Sequence, residues 1–333
     1  MAKAAAAIEP SLTPDQALVD RFSRDLNMLI PAGEKIGVAV SGGPDSLALL
    51  LLAAAARPGL VVAATVDHAL RDESRTEAEL VAGICEKLGV PHSILIVEWK
   101  EKPESAIQER ARKARYGLLG RWAAEQGVRA ILTGHHADDQ AETLLMRLIR
   151  GAGVKGLAGM RRLARTPGAN LVLLRPLLGW RHAELEQLCA DVGIKPVDDP
   201  SNGDDKFERV RIREALKGAD WFNPGAVAAS AANLAQADAA LQWAVTQEWK
   251  RAVAKQDGQI IYRPTTDAPR EIRRRVARRA ILALASEGSG DIRGPALEKV
   301  LMALTKGQRV TLRGVLCIGG PQWRFAKAPP RRA

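Results

Sequence analysis

The sequence predicts an α/β chain: a doubly wound, mainly parallel sheet followed by a mainly helical, basic C-terminal domain. Three observations carry that prediction. In the first half, short β-branched apolar runs alternate with longer amphipathic stretches, the pattern of strand–helix–strand units with right-handed crossovers. A turn rich in glycine and serine follows the first of those runs. All the excess positive charge lies in the last third: residues 1–220 carry 30 Lys/Arg and 30 Asp/Glu, whereas residues 221–333 carry 19 and 8. A chain of 333 residues exceeds the roughly 150 of one ordinary domain, and the charge break suggests domains at 1–220 and 221–333.

The runs Ile36–Val40, Leu60–Val66, Ser93–Val97 and Ala130–Thr133 are short and bounded by turn residues, so they read as buried strands. Between them lie helical stretches. Residues 46–56 are nearly all Leu and Ala, residues 75–88 space Leu80, Ile84 and Leu88 four apart, and residues 104–126 place Ile107, Ala111 and Ala114 on one face. Ser74 and Glu77 suggest a capping box for the second of these. After a glycine-rich turn at 151–159 come a short strand, Leu171–Leu174, a helix near 181–192 and a polar loop, Asp198–Asp205. Trp221 to Gly225 reads as a linker. Beyond it, 226–256, 269–286 and 294–305 are helical patterns, Arg309–Phe325 alternates like a hairpin, and the tail through Pro329 and Pro330 should fray.

Several classes are excluded by composition. Hydrophobic residues at 47% and charged residues at 26% fit a globular chain. No apolar run approaches the roughly 20 residues of a membrane span, and Glu9, Pro10 and Asp15 interrupt any secretory core near the start. Cys85, Cys189 and Cys317 are widely spaced and form no CxxC pair, which argues against a disulfide framework or cysteine-rich zinc site and for a cytoplasmic protein. A net charge of +11, concentrated in tracts such as Arg270, Arg273, Arg274, Arg275, Arg278 and Arg279, fits binding to a phosphate backbone. Its bland alternative is a solvated helix face.

Ligands of doubly wound sheets bind beyond the carboxyl ends of the strands, and the unusual residues cluster there. Ser41-Gly42-Gly43-Pro44-Asp45-Ser46 joins the first strand to its helix. Its glycines allow close backbone approach, Pro44 suits a first helical turn, and the helix start offers free N–H groups to an anion. The GxxxxGK[ST] pattern is absent. The second strand ends in Asp67-His68-Ala69-Leu70-Arg71, which suits either nucleotide contacts or a capped turn. The fourth ends in Thr133-Gly134-His135-His136-Ala137-Asp138-Asp139-Gln140-Ala141-Glu142-Thr143. Asp138 and Glu142 share a helix face, while Asp139 and Glu142 could simply form a capping box. Three carboxylates at a phosphate site call for a cation, either Mg²⁺, which prefers oxygen ligands, or a substrate amine. A zinc site is disfavoured, since adjacent histidines converge poorly on one metal.

Ser-Gly-Gly-x-Asp-Ser resembles the pyrophosphate-binding loop of the N-type ATP pyrophosphatases, the PP-loop superfamily. The set of Asp67, His68, Leu70 and Arg71, Gly134 to Thr143 and Arg150-Gly151 is similar to the tRNA(Ile)-lysidine synthetases within it. Ala111-Arg112, Arg115-Tyr116, Arg175-Pro176-Leu177-Leu178 and Asp199-Pro200-Ser201-Asn202 extend the match over about 36 to 213. One departure stands at Val210, where the family usually has asparagine, and the expectation is a chain shorter than the family members that carry a second C-terminal domain. The resemblance implies ATP-dependent ligation of lysine to carbon 2 of the wobble cytidine of a minor tRNA(Ile) with a CAU anticodon, through an adenylated cytidine. The partners are then ATP, Mg²⁺, free lysine and that tRNA; a homodimer is compatible with the sequence.

The expected roles follow residue by residue. Ser41, Gly42, Gly43, Pro44, Asp45, Ser46, Asp67, His68, Gly134 and His135 would bind ATP, with Mg²⁺ on Asp45 and Asp139. Catalysis is expected from Asp45, Arg112, Asp138 and Glu142, with Arg112 steadying the transition-state phosphate. Lysine would sit on Asp138, Glu142 and Arg209, its amine (pKa about 10.4) losing a proton to Asp138 or Glu142, or else to His135. Tyr116 could stack on the base or belong to the core. The arginines of 270–279 would hold tRNA. Competing readings are a tRNA thiolase, which would need reactive cysteines, a small-molecule ATP-pyrophosphatase ligase, which leaves the basic region idle, and a non-catalytic RNA-binding protein, which leaves Asp45 unexplained.

Overall fold

The computed structural model describes residues 12–69, 73–99, 107–166, 171–197, 208–216, 218–286, 292 and 294–329. Leu70, Arg71, the loop 198–205 and the tail from Pro330 lie outside the described residues. Two compact units result, one up to Ala235 and one from Gln236 on. The division falls inside the helix that Pro224 opens and that runs unbroken to Ala252. Proline is well placed there, since a first helical turn needs no N–H from it.

The first unit is built on six strands, β1 (Ile36–Ala39), β2 (Val61–Asp67), β3 (His92–Ile96), β4 (Ala130–Leu132), β5 (Leu163–Arg165) and β6 (Val172–Leu174), in the order β3-β2-β1-β4-β6-β5. All pairings are parallel except β5 with β6. Helices α1 (Gln16–Asn27), α2 (Pro44–Ala56), α3 (Glu73–Lys87), α4 (Ile107–Glu125), α5 (Ala137–Ile149), α6 (Val154–Leu157), α7 (His182–Asp191) and α8 (Glu208–Leu216) surround it, with a 3-10 turn at Pro176–Gly179. The second strand's helix starts at Glu73, so Ser74 lies inside it and does not cap it.

Strand alternation explains the two layers. Ile36, Val38, Val61, Ala63, Ala130 and Leu132 join one core with α1, α2, α3 and α7, whereas Val62, Ala64, Ile131 and Leu173 join another with Tyr116, Leu119, Trp122 and Ala123 of α4. Successive residues of a strand point to opposite faces, so a sheet covered on both sides needs apolar residues at both parities. Helix α2 is apolar all round, and Leu47 to Ala53 are all buried in the layer shared with α1 and α7, the fate of such a helix. The chain leaves β1 toward β2 on one side and returns at β4 on the other, so the topological switch lies between β1 and β4. A crevice forms beyond their carboxyl ends at such a point.

The second unit contains the remainder of α9 (Pro224–Ala252), α10 (Arg270–Leu284) and α11 (Gly294–Thr305). Beside these foreseen helices stands an antiparallel sheet of β7 (Val253–Gln256), β8 (Gln259–Tyr262), β11 (Trp323–Lys327), β10 (Val315–Ile318) and β9 (Arg309–Leu312), in that order. The hairpin expected over Arg309–Phe325 is formed by β9 and β10, and a third strand, β11, begins within its range at Trp323. Helix α9 ends at Ala252, and residues 253–256, expected as helix, pair with β8 instead. Tyr262, Trp323 and Phe325 anchor the core against Ile272, Val276 and Leu301, with the Tyr262 and Trp323 rings edge to face at 5.5 Å.

Candidate active site

The crevice at the switch point is a cavity of about 240 Å³. Its apolar side is made by Ala39, Val40, Ala64, Val66, Tyr116 and Leu119, and its polar side by Ser41, Gly43, Asp45, Ser46, Thr133, Gly134, His135, Asp139, Arg115 and Arg209. An apolar wall beside a ring of donors and charges suits a flat base joined to phosphates.

The loop after β1 is preshaped. Gly42 has φ +88, a conformation that favours glycine, and the Ser46 hydroxyl donates to the Gly43 carbonyl at 3.0 Å while accepting from the Ser41 N–H at 3.0 Å. Gly43 caps α2 without a side-chain bond, and Pro44 opens the first turn, so the helix presents its N–H groups and positive dipole end to the cavity. Gly134 comes in from β4 so closely that a Cβ there would stand 2.9 Å from the Asp45 carbonyl oxygen and 3.1 Å from the Ser46 nitrogen. The two loops can meet only because this residue has no side chain.

Asp45 is gripped at both oxygens. His182 Nδ1 lies 2.8 Å from Oδ1 and His136 Nε2 lies 3.5 Å from Oδ2. Burial would raise its pKa, but these two imidazoles outweigh that and hold the carboxyl well below the usual range. His136, 3% exposed, also faces Asp139 at 3.4 Å and Asp138 at 3.5 Å. Burial alone would depress its pKa; the surrounding carboxylates of Asp138, Asp45 and Asp139 push it up to about 10. His136 is thereby favoured as an imidazolium, which offsets part of the negative charge of the acidic motif.

Asp138 accepts from Arg181 Nε and Nη2 and, at 2.8 Å, from the His182 backbone N–H. Despite its burial, these donors and His136 keep it well below the usual carboxylate range. It joins α5 to α7 and, like Glu142, is not among the residues that line the cavity. Asp139 is not the N-cap of the expected box either. Helix α5 starts at Ala137, and Asp139 reaches back to the His136 N–H at 3.2 Å. Glu142, buried to 4% exposure, is held by Arg213 at 2.8 Å and Arg209 Nε at 3.2 Å, and burial outweighs the arginines to raise its pKa. Val210 is buried on α8, which packs on α5.

Other expected residues find less central places. Asp67 caps a turn, accepting from the Ala69 N–H at 2.8 Å. His68 sits beside Arg115, with Nη2 3.1 Å from its Nε2, and burial and that charge push its pKa down to about 4. Arg115 lines the cavity, whereas Arg112 lies on the surface of α4 with its guanidinium 4.9 Å from the Tyr116 ring. Tyr116 is 8% exposed and belongs to the core while forming part of the wall. His135 pairs with the Thr133 hydroxyl at 2.9 Å, and burial, with Arg175, Arg112 and Arg209 nearby, lowers its pKa to about 4 against the pull of Asp139. His182, Arg181 and the imidazolium role of His136 are what sequence reasoning missed. His182 stands in no motif, and only the packing of α7 against α2 brings it to Asp45.

In the second unit the arginines of α10 are largely engaged by their own fold. Arg275 is 7% exposed and pairs with Asp238 and Glu271, both at 2.7 Å, so it belongs to the core and its expected contact with tRNA has no accessible surface. Arg274 pairs with Glu271 at 2.6 Å, Arg270 with Glu298, and Arg279 stacks over Trp249 at 4.3 Å. Arg273 donates to the Ala268 carbonyl, and Arg278 is half-buried.

The cysteines speak against the thiolase reading. Cys85, Cys189 and Cys317 are buried on α3, α7 and β10, and burial pushes each thiol up to about 12. Among the described residues no helix is long and apolar enough to cross a membrane.

Residues 16–219 match the PP-loop domain family. The chain is 48% identical to the tRNA(Ile)-lysidine synthase of Novosphingobium aromaticivorans, covering 94% of each chain, and 42% identical to that of Zymomonas mobilis, covering 91% of each. Among solved structures it resembles the U34-tRNA thiolase NcsA of Methanococcus maripaludis with its 4Fe–4S cluster, at a TM-score of 0.54 and 17% identity over 67% of this chain and 81% of that one. That similarity concerns the fold alone. With the loop after β1, the motif after β4 and relatives matched over nearly the whole chain, this protein belongs to the tRNA(Ile)-lysidine synthase family of PP-loop proteins.

Proposed function

We propose that this chain uses ATP to join lysine to carbon 2 of the wobble cytidine of a tRNA(Ile) with a CAU anticodon, releasing AMP and pyrophosphate. The observation that carries this reading is the shared cavity: the PP-loop serines and glycines form one part of its wall, and Asp139 and Arg209 another. A phosphate cradle and an acidic site for an amine thus open on the same space.

The base oxygen at position 2 attacks the α-phosphate, the bond to the β-phosphate breaks and pyrophosphate leaves. The lysine amine then attacks carbon 2, and AMP departs with the oxygen. Ser41, Ser46 and the first N–H groups of α2 suit the departing pyrophosphate, and Arg115 is placed better than Arg112 to face the reacting phosphate. Asp45 and Asp139 line the cavity and offer the hard oxygen donors that Mg²⁺ takes; bound there, it would neutralise phosphate charge. Asp139 is the carboxylate of the expected acidic set that lines the cavity beside Asp45, and it is the nearest partner there for the lysine ammonium. His135, neutral at pH 7, is the proton acceptor that lines the wall; Glu142, whose affinity for a proton is raised by burial, stands off the wall on α5. Arg209, which lines the cavity while paired with Glu142, is the cation nearest to hand for the amino acid's carboxylate. Basic residues of the second unit would hold the tRNA backbone.

The test is AMP release from ATP by the purified chain with lysine and a tRNA(Ile) transcript, together and singly. AMP formation that needs the tRNA, and lysine incorporation that needs both, is the expected result. ATP consumption indifferent to the tRNA would end this reading in favour of a small-molecule ligase.

A further inference from the structure

The outer face of the five-stranded sheet carries exposed arginines, whereas those of α10 are largely engaged within their own fold. Paired residues of an antiparallel sheet share a face, and the registers run Ala254–Ile261–Arg324–Ile318–Arg309 straight across all five strands. The opposite face, with Tyr262, Trp323, Phe325, Val315 and Cys317, is buried under the helices. On the outer face Arg309, Arg324, Thr311 and Ala254 are exposed and Ile261, Ile318 and Leu316 half-buried.

Two features single this face out. The five strands contain no Asp or Glu, so no carboxylate on them competes with an incoming anion. The side chains of Arg309 and Arg324 make no ion pair or hydrogen bond with any described residue, unlike those of Arg270, Arg274 and Arg275. They stand two strands apart, roughly 10 Å at the usual spacing, with Ile318 between them. An unpaired arginine loses less on meeting a phosphate than one that must first leave a carboxylate. No aromatic side chain lies in this row, so the chemistry suits a sugar–phosphate backbone and not stacked bases.

We propose that this outer sheet face, centred on Arg309 and Arg324, is the surface by which the C-terminal unit grips the tRNA backbone, in place of the arginine run of α10. The proposal rests on the reading of the chain as a tRNA-modifying enzyme and names the surface that reading leaves open.

The experiment measures binding of a tRNA(Ile) transcript by the full chain across a salt series, for wild type, R309E/R324E and R279E. The double variant should weaken binding at least about tenfold and flatten the slope of log affinity against log salt by about 1.5, the loss of two phosphate contacts. R279E should change both far less. An unchanged thermal midpoint and monomer–oligomer distribution for R309E/R324E are part of the expected result. Wild-type affinity and slope in R309E/R324E, a larger loss in R279E, or a shift in oligomeric state with tRNA affinity intact would each overturn the assignment. Failure of the functional reading is distinguishable, because wild type would then bind tRNA and form no AMP.

Discussion

His182 Nδ1 stands 2.8 Å from Asp45 Oδ1, although 137 positions separate them in the chain. Together with His136 on the other oxygen, this contact sets the orientation of the one carboxylate in the phosphate loop. His182→Ala is expected to lower kcat/KM for ATP by about 10- to 100-fold, the worth of one hydrogen bond to a charged group, and His182→Gln to recover part of it. Asp45→Ala should abolish AMP formation with the fold intact by circular dichroism. Wild-type kinetics in His182→Ala would remove that side chain from the site's support.

Gly134→Ala tests the closeness of the two loops. The added Cβ would meet backbone atoms of Asp45 and Ser46 at 2.9–3.1 Å, so β4 or the phosphate loop must shift. A loss of about 1–3 kcal/mol in stability and about 100-fold in kcat/KM is expected, read by urea melts and AMP release. A fully active variant would show that the loops separate without penalty.

His136 links stability to pH. Its pKa rises from 6.5 to about 10 in the folded chain, so its contribution is fully present below pH 6.5 and is lost as pH climbs toward 10. Asp45 and Asp138 act oppositely: their lowered pKa values give stability above the ordinary 3.8 that is lost in acid. In metal-free buffer the thermal midpoint of wild type should therefore fall between pH 6.5 and 10 more steeply than that of His136→Gln. Parallel curves for the two proteins would mean that His136 is neutral in the fold.

Arg275 tests whether charge within the arginine run of α10 is structural. Both it and Asp238 are 7% exposed, and removing one partner of a buried pair costs about 3–5 kcal/mol. Arg275→Ala should accordingly lower the unfolding midpoint of the chain sharply. If it melts like wild type while binding tRNA poorly, the side chain is available to ligand and the buried pair is not what holds it.

The sequence by itself determined the parallel sheet, its flanking helices and the two loops that carry chemistry. Alternating apolar runs report burial parity, and glycines before a helix start report a backbone that must come close to something; both signals are local. Asp45, Gly134 and the acidic motif were legible for that reason. What only the tertiary structure decided is how the charges are paired. Asp138 and Asp139 are neighbours in sequence, yet one is tied to Arg181 and His182 while the other faces the cavity. Likewise Arg275 enters the core while Arg309 and Arg324, isolated in sequence, meet on one face. A charge run records composition along one helix, whereas pairing and exposure depend on which distant element packs against it, and the strand registers and the α2–α7 contact set that.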